Sequence, residues 1–265
     1  MIRATLLVLA GAAIAFVGSV CGIGGGLFAV PLLHYGFRLE LRAAVATSLC
    51  LVGANAFGST ATEYAHEGSA LLWDVVLPLA GGALVGAQFG YVASRRMSER
   101  FAKGLFAGVM AIAAWRMLHS GGAGAQPEEF HSVYTVGRAA SVAAIGLVAG
   151  AASPLLGIGG GMIVVPGLLL TMPEIGGLGA RAAALGVACV TSARSIHLYA
   201  KERRVDVSVA PWFIAGGLAG AFAGVQAVHS PGIAALGRQF LGGLLVLTAI
   251  RFALDAARVP TAKDV

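Results

Sequence analysis

Long apolar runs separated by short polar breaks set the pattern of this chain. They cover residues 4–36, 41–62, 71–94 and 99–118, then 139–170, 181–200, 207–228 and 234–255. A helix that crosses a bilayer needs about 20 apolar residues, and six of the eight runs have about that length. The first and fifth are roughly half as long again, and each contains a cluster of glycines. Between the two sets of four lies HSGGAGAQPEEFHSVY, His119 to Tyr134, the longest polar and Gly-rich stretch. It reads as a linker. The pattern predicts an all-α polytopic membrane protein: a first repeat over 1–118, a linker over 119–136 and a second repeat over 137–258.

The two halves echo each other. CGIGGGLFAVP (Cys21 to Pro31) returns as LGIGGGMIVVP (Leu156 to Pro166), and Gly22 to Pro31 matches Gly157 to Pro166 at a constant offset. Arg42-Ala43-Ala44 matches Arg181-Ala182-Ala183, bringing Cys50 onto Cys189, and Ala80-Gly81-Gly82 matches Ala215-Gly216-Gly217. An internal repeat over most of a polytopic chain predicts a duplicated transporter fold.

Whether the halves are parallel or inverted turns on residues 4–36. A single crossing there spreads the Lys and Arg of the loops almost evenly between the two sides. Broken at its glycines, the run becomes a re-entrant hairpin of two shorter helices. One side then collects Arg3, Arg38, Arg42, Arg95, Arg96, Arg100, Lys103, Lys201, Arg203, Arg204, Arg251, Arg258 and Lys263. The other keeps Arg116, Arg138, Arg181 and Arg238. That asymmetry satisfies the positive-inside rule. It favours two inverted repeats, each a re-entrant pair plus three transmembrane helices, with both termini cytoplasmic.

Irregular backbone within a bilayer is tolerated only where it is buried in protein or lines a wet cavity. Two repeat-related breaks therefore point to a binding site near the midplane. A helix starts after each break, at Leu27 and Met162, and its N-terminus offers free N–H groups and partial positive charge to an anion. Gly24, Gly25, Gly26, Gly159, Gly160 and Gly161 would let that anion approach the main chain. Pro31 and Pro166 are expected to distort or end the two short helices.

The next helix of each half supplies polar candidates. Ser48, Asn55 and Ser59 share one helical face. In the second half Thr191, Arg194, Ser195 and His197 crowd the corresponding stretch, with Arg194 aligned on Asn55. Arg194 is the candidate fixed charge for the anion, unless it snorkels to the interface. Cys50 and Cys189 stand one turn earlier as candidate lining, or as small hydrophobes. Glu63, Asp74 and Asp206 are expected at the headgroups, His197 and the tryptophans Trp73 and Trp212 at the interface. Gly82, Gly86 and Gly90, like Gly216, Gly220 and Gly224, mark helix-packing faces.

Composition narrows the classes. Of 265 residues, 58% are hydrophobic and 11% charged, against roughly 25% charged in soluble domains. The net charge of +6 follows from loop charges and topology, so no nucleic-acid partner is expected. Cys21, Cys50 and Cys189 make neither a CxxC nor a zinc spacing, so no metal or cofactor is expected. Cys21 resembles a lipidation cysteine, but its internal twin carries Leu156, and residues 1–36 read as mature structure. A dinucleotide fingerprint fails because Leu27 and Met162 stand where its last glycine belongs. GxSxG and GxGD patterns are missing, which argues against an enzyme. The simplest rival is that Gly22xxxGly26 and Gly157xxxGly161 are packing motifs alone.

The doubled GIGGG-x4-P motif, the repeat and the size resemble the TauE/SafE family of sulfite exporters, over residues 6–255. The resemblance implies an inner-membrane carrier for sulfite or a related sulfur-containing anion such as sulfoacetate. Alternating access around the paired breaks is the expected mechanism, with a passive anion channel or an importer as alternatives. A negative interior favours outward movement of an anion by about 2.3 kcal/mol per charge per 100 mV.

Overall fold

The computed structural model describes residues 2–65, 71–119, 136–228, 246–247 and 249–257. The expected linker lies almost wholly outside them, as does the first half of the run 234–255. The described regular elements are helical. In chain order they are α1 (Ile2–Cys21), α2 (Gly26–Pro31) with a π-helical turn (Leu32–Gly36), α3 (Leu41–Tyr64), α4 (Trp73–Arg96) and α5 (Glu99–His119). Then follow α6 (Val136–Leu156), α7 (Gly161–Thr171), a 3-10 turn (Pro173–Ile175), α8 (Gly176–Lys201) and α9 (Ala210–Val228). Residues 249–257 are also helical. Phe252 there stacks on Phe106 of α5, and the Arg251 guanidinium lies over the Tyr35 ring.

Both long runs break at their glycines, but not into two short helices. α1 and α6 have 20 and 21 residues, about 30 Å at 1.5 Å per residue. Among the described residues, six helices are long and apolar enough to cross a membrane: α1, α3, α4, α6, α8 and α9. α5, which carries Glu99, Arg100, Lys103 and Arg116, was expected to cross and is not one of them. The arms after the breaks are short, Gly26–Gly36 and Gly161–Thr171. Pro31 precedes the switch from α-helical to π-helical backbone, whereas Pro166 sits inside α7 without ending it. Large exposed side chains on the outside, such as Leu9, Phe89 and Phe222, are apolar, as a lipid-facing surface requires.

Glycines set how the helices meet. Gly216, Gly220 and Gly224 of α9 lie against the carbonyl oxygens of Val8, Ala12 and Phe16 of α1. Gly82, Gly86 and Gly90 of α4 lie against those of Ala143, Leu147 and Ala151 of α6, and Gly146 and Gly150 return the contact onto Leu79 and Ala83. In both pairs the residue numbers rise together, so the helices run parallel. A side chain at these positions would collide with main chain, which is how a run of small residues brings two backbones together.

The same reading gives the other directions. Gly217 meets Leu51 and Gly58 meets Ala221, so α3 runs with α9. Gly186 meets Val76, Tyr91 donates to the Leu198 carbonyl and Tyr199 to Ser94, so α8 runs with α4. Across the centre the order reverses: Gly53 meets Ser192, Thr60 meets Cys189 and Glu63 meets Arg181. One set, α1, α3 and α9, therefore runs opposite to the other, α4, α6 and α8. Because α1 and α3 share a direction, the chain doubles back between them, and it does so again between α6 and α8.

Candidate functional site

The two breaks have one backbone design. Gly22, Gly24 and Gly25 have φ of 71, 76 and 86°, and Gly157, Gly159 and Gly160 have 66, 69 and 80°. Each is left-handed backbone that an L side chain adopts only with strain. That explains glycine at three of the four positions preceding each short helix. The helices begin at Gly26 and Gly161, one residue earlier than expected.

The breaks meet each other. The α-carbon face of Gly26 lies on the carbonyl oxygen of Gly157, and that of Gly161 lies on the carbonyl oxygen of Gly22. The contact is reciprocal between repeat-related residues. Val52, at the middle of α3, touches both Gly24 and Gly159. Gly25 faces Ile14, and Gly160 faces the Ala149 carbonyl. All six candidate glycines are buried, and the space that a side chain would take is filled by protein. Sequence reasoning read these glycines as openings for an anion; in this conformation they bring two backbones together.

Hydroxyls and charges satisfy the carbonyls that the breaks release. Ser48 donates to Gly157 O at 3.2 Å and Thr191 to Gly159 O at 2.9 Å. Tyr199 donates to Pro154 O at 2.7 Å, and Arg181 Nη1 to Ser19 O at 3.1 Å. Ser48 and Thr191, expected to line the site, are thus part of what holds the broken backbone in place. Asn55 is fully buried beside the first break; its Oδ1 accepts from Ser19 Oγ at 2.6 Å and Ser59 Oγ at 3.3 Å. The second half has a smaller counterpart, Ser153 with Ser195 at 3.4 Å.

The largest departure from expectation concerns charge. The apolar runs predict a loop position for Arg181 and a headgroup position for Glu63. Both are buried, at 3% and 1% exposure, and Nη2 of Arg181 lies 2.5 Å from Oε2 of Glu63. α8 starts five residues before Arg181, and α3 runs past Glu63 to Tyr64. Glu63 follows the apolar run 41–62 and Arg181 opens the run 181–200, and a charge at the edge of an apolar run reads as a helix end. The available signal was the apolar Leu178-Gly179-Ala180 before Arg181.

Arg194 goes elsewhere. Thr191, Ser192 and Ser195 are buried on the inner face of α8, and Arg194, one position and about 100° from Ser195, points away from it. Its Nη2 donates to Oε1 of the exposed Gln88 on α4 at 2.8 Å. The two helices aligned through Asn55 and Arg194 therefore present different chemistry to the centre. Cys50 is buried in α3, and Cys189 is half-buried against Thr60. Trp73, Trp212 and Asp74 are exposed, while Asp206 accepts from Ser208 N and Oγ ahead of α9.

A cavity of about 190 Å³ lies on one side of the second break, lined by Arg42, Val45, Ser94, Met97, Leu155 and Tyr199 among others. Glu40, Arg42 and Met97 of its lining stand at the basic end of the bundle. There Arg42 donates to the Met97 carbonyl, Arg95 pairs with Glu202 at 3.1 Å, and Arg204 with Glu40 at 3.5 Å. Arg138 and Glu174, 2.9 Å apart, form a separate pair ahead of α8.

The protein family described as sulfite exporter TauE/SafE matches the chain over residues 6–144 and 142–264, almost its whole length. The chain belongs to the TauE/SafE family. Relatives of this TauE/SafE protein carry transporter names. The probable membrane transporter protein of Xylella fastidiosa (strain 9a5c) is 30% identical over 218 residues, which is 79% of each chain. That of strain Temecula1 is 29% identical over the same span. The probable membrane transporter protein MamO of Magnetospirillum gryphiswaldense is 35% identical over 105 residues, 37% of this chain and 17% of that one. No solved structure matches. The family and the six apolar helices make this a multi-pass membrane protein of a transporter family.

Proposed function

We propose that this TauE/SafE protein is a secondary transporter that exports a small sulfur-containing oxyanion, sulfite or an organosulfonate such as sulfoacetate, by alternating access. The observation that carries this reading is the reciprocal seating of Gly26 on Gly157 and Gly161 on Gly22. Two broken helices that meet through main chain at these four glycines, with Val52 reaching both breaks, form a joint that can part as a unit. In inverted-repeat carriers the substrate sits at such a junction.

The opposed directions of α1 with α6 and α3 with α8 support inverted repeats, each a full-length helix with a short return arm followed by spanning helices. The cluster Arg38, Arg42, Arg95, Arg203 and Arg204 at one end supports a cytoplasmic assignment for that end, and with it cytoplasmic termini and an inner-membrane location. The substrate then binds where the joint opens. Ser48 and Thr191 are freed from Gly157 O and Gly159 O, and the N–H groups of the short helices and Asn55 face the anion. Gly24, Gly25, Gly159 and Gly160 form the floor, and Cys50 and Cys189 flank it. Arg194, held by Gln88, has no part in this site.

Proteoliposome flux tests the reading. Sulfite or sulfoacetate uptake should saturate and show counter-exchange, with sulfate and thiosulfate as competitors. Flux that rises linearly with concentration, without counter-exchange, identifies a channel instead.

A further inference from the structure

The buried charges beside the first break are not used by the site just described. Arg181 spends Nη2 on Glu63 and Nη1 on the Ser19 carbonyl, and its Nε has no partner. Asn55, whose Oδ1 accepts from the Ser19 hydroxyl, has its Nδ2 likewise buried without a partner. Two unused donors thus hang from one residue, Ser19, through its carbonyl and its hydroxyl. Ser19 stands three positions before Gly22, and the Gly22 α-carbon face lies on Arg181: a β-carbon there would be 2.9 Å from Arg181 Cγ. The stem of Arg181 is therefore packed against one of the two breaks that form the joint, and its guanidinium reaches the Ser19 carbonyl just before that break.

A guanidinium presents a planar fork that fits two oxygens of a carboxylate or of an oxyanion equally well. Ionisable groups in the interior of a membrane protein are costly and face functional sites. We infer that the Glu63 carboxylate is a built-in occupant of an oxyanion site on Arg181, and that a singly charged sulfur oxyanion displaces it while Glu63 takes up one proton. This rests on the oxyanion-transport reading above and adds the charged partner, the coupled ion and the charge state of the substrate.

The exchange conserves charge. The hydrogen bond from Nη2 to Glu63 Oε2 breaks, and one from Nη2 to an anion oxygen forms, with Nε and Asn55 Nδ2 as further donors. A proton from water neutralises Glu63. Within the Arg181–Glu63 pair and its ligand, the charges that balance before the exchange balance after it. Without that proton, two anions would share one cation out of water, which like-charge repulsion and desolvation both oppose. The ligand class is an organosulfonate or hydrogensulfite.

Among the described residues, Tyr64 beside Glu63 packs edge-on against Trp73, and on α4 Asp74 is exposed and Tyr91 donates to the Leu198 carbonyl. α2 and α9, packed on α3, carry no titratable side chain, and α1 brings Cys21 near its tip. On the other neighbours, Arg138 is paired with Glu174, Arg194 with Gln88, Tyr199 with Pro154 O and His34 with Leu39 O. Cys189 lies on Thr60, His197 and Lys201 are exposed, and Tyr35 sits beneath Arg251.

The test uses the full chain with methanesulfonate, which stays singly charged, and sulfite as probes. Proton uptake on binding is read with an indicator dye in weak buffer. Wild type should take up about one proton per methanesulfonate, and its Kd should fall up to about tenfold for each pH unit lowered. Glu63→Gln should bind more tightly at high pH, with no proton uptake and no pH dependence. In vesicles, methanesulfonate flux should ignore an imposed membrane potential in wild type and follow it in Glu63→Gln. The double variant Glu63→Gln/Arg181→Gln, which removes both charges of the pair together, should fold and bind neither probe. If Glu63→Gln does not fold, the wild-type proton count and the double variant decide. Binding by wild type without proton uptake, or binding by the double variant at wild-type affinity, overturns this inference and leaves the transport reading standing. A wild type that neither binds nor moves either probe overturns both.

Discussion

At Gly26 and Gly161 a single hydrogen separates a packed joint from a collision. Alanine at either would overlap a carbonyl oxygen across the joint, and overpacking of this kind costs about 1–3 kcal/mol. Gly26→Ala and Gly161→Ala should each lower the Tm of the detergent-solubilised protein by several degrees. Gly81→Ala, with nothing within 4 Å of the new carbon, should leave Tm unchanged or raise it. Thr191 makes a separate prediction. Thr191→Val removes the donor to Gly159 O and leaves a buried carbonyl unsatisfied, about 1–3 kcal/mol, while Thr191→Ser keeps it. A thermal melt should place the serine variant near wild type and the valine variant clearly below. The glycines, Ser48, Asn55 and Thr191 were legible as special residues because polar or flexible positions stand out in apolar sequence. Their partners were not, since each bond joins residues far apart in the chain.

Between elements, the stripes of small residues decide which helices pair. Gly82, Gly86 and Gly90 recur every fourth residue on α4, and their counterparts on α9 do the same, so both faces could be read directly as packing faces. The partner of each stripe could not be read. α4 takes α6 and α9 takes α1, each from the other half of the chain, so neither half closes on itself. Gly86→Leu, aimed at the Leu147 carbonyl, should separate α4 from α6 and abolish a cooperative melt. The same change at Gly81 should be tolerated. Hydropathy placed α3, α4, α8 and α9 within a few residues of their observed ends except where a charge interrupted it. Arg181 inside α8 and Glu63 inside α3 are those exceptions, because each neutralises the other across the centre.

At the scale of the molecule, opposed helix directions and the segregated charges make a topological prediction. Arg38 precedes α3, and Glu174 lies in the turn ahead of α8; both are exposed. Single cysteines at the two positions should react with a membrane-impermeant maleimide from opposite faces, Glu174→Cys in intact cells and Arg38→Cys only after lysis. Labelling of both from the same face would refute inverted repeats. Arg181 is unsuitable for such a probe, since it is buried against Glu63.

The apolar periodicity, the doubled glycine motif and the loop charges follow from local chemistry: how much water each segment tolerates and how freely its backbone bends. Sequence alone therefore determined a duplicated, all-helical membrane chain with two breaks, and through the motif the TauE/SafE resemblance that the family match bears out. Burial and pairing are properties of three-dimensional proximity. Only the tertiary structure decided that the breaks seat on each other, that Ser48 and Thr191 hold their carbonyls, and that the central guanidinium is Arg181 rather than Arg194. A buried charge is recognisable only with its partner, and Glu63 lies 118 residues away along the chain.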